Sequence, residues 1–184
     1  MILTHYSAKP LRLNRKKIYQ TNRYSGKPEG LWLSDESIKE EGWEAAGKQM
    51  FGDEDFAYKS SFKLDLSRVL WLQCFSDMER FTKVWGASPL STLIPNIYLP
   101  NNLKFLSIRW GDLSNHYGGI LITPYLWKAR HSFLWYYAWD AASACIWDLS
   151  LLKRIDVRKE NQNEHVRSRK TKNHSTSTHQ IRGS

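Results

Sequence analysis

The sequence predicts an α+β protein with mostly antiparallel sheets and two or three helices. Short apolar or alternating runs, typical of strands, recur along most of the chain, whereas amphipathic helical patterns are few. Of the 184 residues, 41% are apolar and 14% aromatic, which is enough for a substantial core. Nine tryptophans are a high content, and tryptophan either packs in cores or lines ligand pockets. An aromatic-rich interior is therefore expected.

Seven segments have the pattern of β-strands. Residues 31–33, Leu-Trp-Leu, form a short apolar triplet after a turn that contains Pro28 and Gly30. Residues 58–66 alternate in part, as a strand with one buried face does, and residues 68–75 form a continuous apolar run that suits a central strand. The predicted strands cover residues 1–7, 30–34, 58–66, 68–75, 120–123, 133–139 and 149–157.

Three segments are predicted to be helical. Ser34 or Asp35 is the expected cap of a helix over residues 36–50, whose first turn is acidic. A second helix is predicted over residues 76–85, where apolar side chains recur on one face. Residues 106–113 are the third candidate.

The basic charge is concentrated in residues 158–184. That segment holds seven Lys or Arg and two Glu, a net charge of +5 out of +9 for the chain. Its sizeable apolar side chains are Val166 and Ile181 alone, too few to offset the entropy lost on ordering. We expect one domain over residues 1–157 and a disordered basic tail over 158–184. The tail is interpreted either as a solubilising extension or as a contact for nucleic acid.

Several classes of protein and site are not expected. No run approaches the roughly 18 apolar residues of a membrane span, and the first residues lack the pattern of a signal peptide. Cys74 and Cys145 lack the spacing of a metal or redox motif, which favours two buried thiols in a reducing compartment, the cytoplasm. The motifs of serine hydrolases, P-loop proteins, Rossmann dinucleotide sites and zinc peptidases do not occur. No metal site is predicted.

Three short stretches combine polar and aromatic side chains suited to one ligand. Residues 5–7, His-Tyr-Ser, end the first predicted strand, and an imidazole can donate a hydrogen bond to a sugar hydroxyl. Residues 30–34, GLWLS, form the second strand, and Trp43 follows Trp32 by eleven positions. Two aromatic planes suit a flat cationic ring such as oxidised nicotinamide. Core packing of Trp32 and Trp43 is the other interpretation of the same residues.

These stretches resemble the ADP-ribosyltransferase fold, specifically its His–Tyr–Glu branch, which includes the poly-ADP-ribose polymerases and diphtheria toxin. In that branch a His-Gly-Ser/Thr motif holds the adenine ribose of NAD. A Gly-Ile-Tyr-Phe strand follows, and a second tyrosine eleven residues beyond its tyrosine stacks on nicotinamide. The resemblance implies an ADP-ribosyltransferase-like fold with split sheets, and NAD as the substrate. The chain is also similar to phage and bacterial proteins that share KPxGLW and WYYxWDxASxCIW runs. The NAD-binding residues implied are His5, Tyr6, Ser7, Gly30, Trp32, Ser34 and Trp43.

The catalytic acid that the resemblance implies is Asp140. The family's glutamate opens a late strand, but residues 120–123 have Leu121 at that place. Asp140 follows the predicted strand 133–139 in an aromatic setting, and Asp148 is the second candidate. A carboxylate near the substrate would stabilise the oxocarbenium character that develops as the glycosidic bond breaks. The other interpretation of Asp140 is a cap of the following turn.

The expected function is that of an NAD-binding, ADP-ribosyltransferase-like protein. It either transfers ADP-ribose to an unidentified macromolecular acceptor or binds NAD without catalysis, since the acid is displaced. Tyr6 stands where the family has glycine, and its side chain would hinder the close approach of a ligand to the backbone. The alternative is a non-catalytic module that binds nucleic acid or a host protein through basic residues 9–17 and the tail.

Overall fold

One mixed sheet of seven strands organises the protein in the computed structural model, which describes residues 1–21, 26–51, 53–89 and 105–159. Its strands lie in the order β4-β7-β8-β2-β1-β3-β9. The pairing of β4 with β7 is parallel and the other pairings are antiparallel, so the predicted α+β class with mostly antiparallel strands is confirmed. The strands of this sheet are β1 (Ile2–Ser7), β2 (Leu31–Ser34), β3 (Tyr58–Leu64), β4 (Val69–Leu72), β7 (Gly119–Ile122), β8 (Ser143–Ile146) and β9 (Leu152–Lys159).

Smaller elements cover the sheet. Strands β5 (Gly86–Pro89) and β6 (Phe105–Ile108) form a separate antiparallel pair. Four short α-helices lie within the described ranges, one more than the two or three expected. They are α1 (Trp43–Phe51), α2 (Phe75–Trp85), α3 (Trp110–Ser114) and α4 (Trp127–Arg130). The described ranges contain no helix that is both long and apolar enough to cross a membrane.

The first helix begins later than predicted. The backbone N–H of Asp35 donates to the Ala142 carbonyl (2.9 Å), and the Ala142 N–H donates to the Glu41 carbonyl (2.8 Å). These bonds hold residues 35–41 as a loop across the start of β8, which competes with helix formation. Ser34 nevertheless has a capping role, because its Oγ accepts the N–H of Trp43, the first residue of α1, at 2.6 Å.

One predicted strand was wrong, and one observed strand was not predicted. Residues 133–139 are not a strand; they contain a 3₁₀ turn at Leu134–Tyr136 that buries large rings on several sides. The strand in this region is β8, whose small side chains Ala144 and Cys145 are fully buried between β2 and β7. Small residues suit that central position because the neighbouring elements leave little space, a condition that alternation of polarity does not reveal.

Several boundaries also differ from the predictions. The strand expected over residues 68–75 ends at Leu72, and it lies at the edge of the sheet rather than in its centre. The helix expected over residues 106–113 is divided, since β6 ends at Ile108 and α3 starts at Trp110. The last strand, β9, continues through Lys159, two residues past the predicted end of the domain. The predicted disordered tail, from residue 160 onward, lies outside the described residues.

The two faces of the sheet bury different side chains. One face packs mostly aliphatic residues such as Leu3 and Leu33, and the other packs a tryptophan-rich cluster that includes Trp110, Trp135 and Trp139. Because side chains alternate along a strand, Leu33 faces the aliphatic side while Trp32 lies against the tryptophan-rich cluster. This alternation places Trp32 beside the loop that precedes β8.

Candidate functional site

A cavity of about 230 Å³ lies where β1, β2, the start of α1 and the loop before β8 meet. Strand β2 brings these segments together, since it pairs with β1 on one side and with β8 on the other. Thr4 lies opposite Ser34 in one pairing, and Ser143 lies opposite Ser34 in the other. The lining residues are Thr4, His5, Tyr6, Lys27, Trp32, Leu33, Ser34, Trp43, Trp139, Asp140, Ala141 and Ser143.

Most of the residues predicted for a ligand site line this cavity. They are His5, Tyr6, Trp32, Ser34, Trp43 and Asp140, which come from separate parts of the chain. Ser7 does not line it, and its hydroxyl donates to the Lys9 carbonyl at the surface (2.8 Å). Gly30 does not line it either. A Cβ there would lie 2.7 Å from the Cys145 Sγ and 2.8 Å from the Ile146 carbonyl oxygen, so its glycine is explained by close packing on β8.

His5 is held as a neutral imidazole with a defined tautomer. Its Nδ1 lies 2.9 Å from the Trp32 carbonyl oxygen, and because a carbonyl only accepts, Nδ1 carries the hydrogen. Burial lowers the pKa of His5, which favours the neutral form. Nε2 is therefore a hydrogen-bond acceptor. The prediction from the sequence was that His5 donates a hydrogen bond to a sugar hydroxyl.

Tyr6 contributes its ring to the cavity, but its hydroxyl is occupied by the protein. The hydroxyl donates to Glu44 Oε2 at 2.9 Å, and the same carboxylate oxygen pairs with Lys59 Nζ at 3.0 Å. Burial, with the nearby carboxylates of Glu36 and Glu44, raises the pKa of Tyr6 and keeps the hydroxyl protonated. The ring also packs against Phe56 at 5.0 Å between centroids. A structural role thus accounts for tyrosine at this position.

Tryptophans form much of the apolar wall. Trp32 and Trp139 meet edge to face, with ring centroids 4.7 Å apart. Trp43 is fixed at the start of α1 by its backbone hydrogen bond to Ser34. Trp139 is fully buried, and among the described residues its indole N–H finds no acceptor. A buried donor without a partner costs free energy, so the indole N–H of Trp139 makes the fold less stable than a paired donor would.

Asp140 lies between two cations. Its Oδ2 is 3.8 Å from Lys27 Nζ, and its Oδ1 accepts from Arg130 Nη2 at 3.2 Å. Within the described part of the chain its contacts are with these cations rather than with backbone N–H groups, so the turn-capping interpretation was wrong. Lys27 also lies over the Trp32 ring, 5.1 Å from the centroid. Burial lowers the pKa of Lys27, while Asp140 opposes that shift.

The acid expected at the opening of a late strand is not there. The strand beside β2 is β8, so the relevant position is Ser143 and not Leu121, which is buried on the aliphatic face. Ser143 lines the cavity, and its hydroxyl donates to the Ala141 carbonyl at 2.9 Å. Asp148 lies outside the lining, where Arg68 and the backbone and hydroxyl of Ser150 satisfy it.

Six of the described lining residues were not predicted from the sequence: Thr4, Lys27, Leu33, Trp139, Ala141 and Ser143. Trp139 could have been predicted as a lining residue, because it directly precedes Asp140, the predicted catalytic acid. Lys27 and Ser143 had no comparable signal, since their place depends on how the loop before β2 and strand β8 pack. Cys145 is fully buried and burial raises its pKa well above the ordinary value, as expected of a packed thiol. Cys74 is exposed, so the prediction of a buried thiol was wrong at that position.

Comparison with protein-family models, curated proteins and solved structures finds no match for this chain.

We expect the burial of His5 to make the fold less stable in mild acid. The ordinary pKa is 6.5 and the folded value is lower, so below about pH 6.5 the unfolded chain takes up a proton that the folded chain refuses. The free energy of unfolding should therefore decline as pH falls from 6.5 towards the folded pKa. His5→Gln should flatten this decline, by at most about 1.4 kcal/mol per pH unit. Urea unfolding at several pH values measures it, and equal slopes in wild type and variant would contradict the assignment.

Proposed function

We propose that the cavity binds NAD by its nicotinamide and adjoining ribose, and that the protein is an ADP-ribosyltransferase-like NAD-binding protein. The observation that carries the proposal is the convergence of His5, Trp32, Trp43 and Asp140 on one cavity. The order and spacing of these residues in the sequence, through the resemblance to the ADP-ribosyltransferase fold, predict that they share one site. They are separated by up to 135 positions in the chain, between His5 and Asp140.

The size and lining of the cavity suit one end of the dinucleotide. Pockets for drug-sized ligands have volumes of about 300–1,000 Å³, and 230 Å³ is below that range. A ring and a sugar fit such a volume, and the diphosphate and adenosine extend beyond it. The indoles of Trp32 and Trp43 provide flat apolar surface for nicotinamide. Neutral His5 accepts from a hydroxyl of the nicotinamide ribose, whereas the resemblance would assign this histidine to the adenine ribose.

The reaction that such a site would support is transfer of ADP-ribose to a macromolecular acceptor. The bond between the nicotinamide nitrogen and the anomeric ribose carbon breaks, its electron pair leaves with nicotinamide, and an acceptor nucleophile bonds to that carbon and loses a proton. Asp140 is the lining carboxylate that would stabilise the developing positive charge. Its contacts with Lys27 and Arg130 already compensate part of its charge, so slow transfer is expected.

A specific observation favours a second candidate, a non-catalytic nucleic-acid-binding module. The basic side chains of residues 9–17 are exposed, namely Lys9, Arg12, Arg15, Lys16 and Lys17. Phosphate contacts of this kind weaken steeply as salt rises, because bound counterions are released. Binding through this loop would not depend on Trp43, which separates the two candidates.

Removal of Trp43 should weaken NAD binding without unfolding the protein. An aromatic stack contributes roughly 1–3 kcal/mol, so Trp43→Ala should raise the dissociation constant for NAD by about tenfold or more. Titration calorimetry measures the constant, and thermal unfolding checks the fold. Trp85→Ala is the matched control, because Trp85 is half-exposed and contacts His116 outside the cavity. Absence of NAD binding to wild type at millimolar concentration would refute the proposal.

Removal of the acid should separate catalysis from binding. Asp140→Asn keeps the shape of the side chain but removes its charge, so NAD hydrolysis or transfer should fall by about tenfold or more while NAD still binds. Release of nicotinamide, followed by chromatography, measures turnover. Asp156→Asn, in an exposed region of β9, is the control for loss of a carboxylate. Equal turnover in wild type and Asp140→Asn would exclude Asp140 as the electrostatic acid.

A further inference from the structure

Lys27 has a position that the proposed function does not explain. Its ammonium group lies 5.1 Å from the centroid of the Trp32 ring, within the distance at which a cation is attracted to an aromatic face. It also lies 3.8 Å from Asp140 Oδ2. An aromatic face and a carboxylate thus contact the same cation, and all three side chains line the cavity. That surrounding is suited to positive charge.

We infer that Lys27 occupies the subsite for the cationic part of the ligand, so that the cavity selects organic cations, which must displace its ammonium group. The inference rests on the proposed function where it identifies that cation as the oxidised nicotinamide ring of NAD. The reduced ring of NADH is uncharged and gains neither the contact with the indole face nor the attraction of Asp140. Lys27 therefore competes with a cationic ring for the indole face of Trp32 and for Asp140, whereas a neutral ring binds without displacing the ammonium group.

The side chain of Lys27 is suited to leave the cavity. It is 41% exposed, so its long flexible chain reaches the cavity from the solvent side. Burial lowers its pKa, which means that its charge is less favourable there than in water. Arg130 continues to pair with Asp140 at 3.2 Å when Lys27 moves away, so the carboxylate keeps one cation. A ligand cation would then take the place of the other.

The test compares charged and neutral ligands on wild type and on Lys27→Met. Methionine keeps much of the apolar stem and removes the competing charge. Titration calorimetry is performed with NAD, NADH, the 1-methylnicotinamide cation and neutral nicotinamide. We expect wild type to bind NAD more tightly than NADH. Lys27→Met should bind NAD and 1-methylnicotinamide about tenfold more tightly than wild type, with a change of less than about threefold for NADH and nicotinamide.

Lys83→Met is the matched control, because Lys83 is exposed on α2 and does not line the cavity. It removes the same net charge and should leave all four affinities unchanged. Lys27→Arg, which retains a cation, should resemble wild type. Thermal unfolding of each variant establishes that the fold is intact.

The outcomes distinguish the two proposals. If Lys27→Met weakens NAD and NADH equally and leaves 1-methylnicotinamide unchanged, Lys27 is a phosphate contact and the inference is overturned. If NAD binds but no affinity changes in Lys27→Met, the inference fails while the proposed function stands. If 1-methylnicotinamide binds more tightly to Lys27→Met but neither dinucleotide binds any variant, the cation subsite stands and the proposed function fails. If none of the four ligands binds, both fail.

Discussion

The pairing of β2 with β1 on one side and with β8 on the other is the constraint on which the site depends. Through it, Ser34 lies opposite Thr4 and Ser143, so the ends of three strands from distant parts of the chain meet. The hydroxyl of Ser34 then accepts the first N–H of α1 and fixes where Trp43 begins the helix. Close packing of Gly30 on Cys145 and Ile146 keeps β2 near β8. The cavity is the space that these contacts leave.

The charges in the cavity bear differently on the two parts of the proposed function, ligand binding and transfer. Among the described residues, the carboxylate that lines the cavity is that of Asp140, and cations contact both of its oxygens. Such a group still attracts positive charge, but it offers less stabilisation to a transition state than an uncompensated carboxylate would. The contacts that the tryptophans and the neutral imidazole of His5 offer to a bound ring do not depend on how far these cations neutralise Asp140. Binding of a flat cationic ring is therefore the stronger part of the proposal, and transfer is the weaker part.

The sequence was informative where local pattern and local structure agree. Strand β2 could be predicted from an apolar triplet after a turn, and α2 from apolar periodicity, because both patterns follow directly from the geometry of the element. Strand β8 could not be predicted in this way, because its residues Ser-Ala-Cys-Ile form neither a long apolar run nor a clear alternation of polarity. The run at residues 133–139 has strand-like composition, yet tertiary packing of its rings overrides that preference.

The same limit applies to the site. His5, Trp32 and Trp43 could be selected by spacing, because their strand and helix positions are set locally. The tautomer of His5 and the cations around Asp140 depend on contacts with other segments, which no spacing in the sequence encodes. The central claim is that the cavity holds nicotinamide against its tryptophans, and assigned indole N–H resonances during an NAD titration test it most directly. The signals of Trp32, Trp43 and Trp139 should shift together and saturate, while those of the core residues Trp110 and Trp135 stay in place. Unmoved signals of the first three at millimolar NAD, or shifts confined to the core pair, would contradict the account.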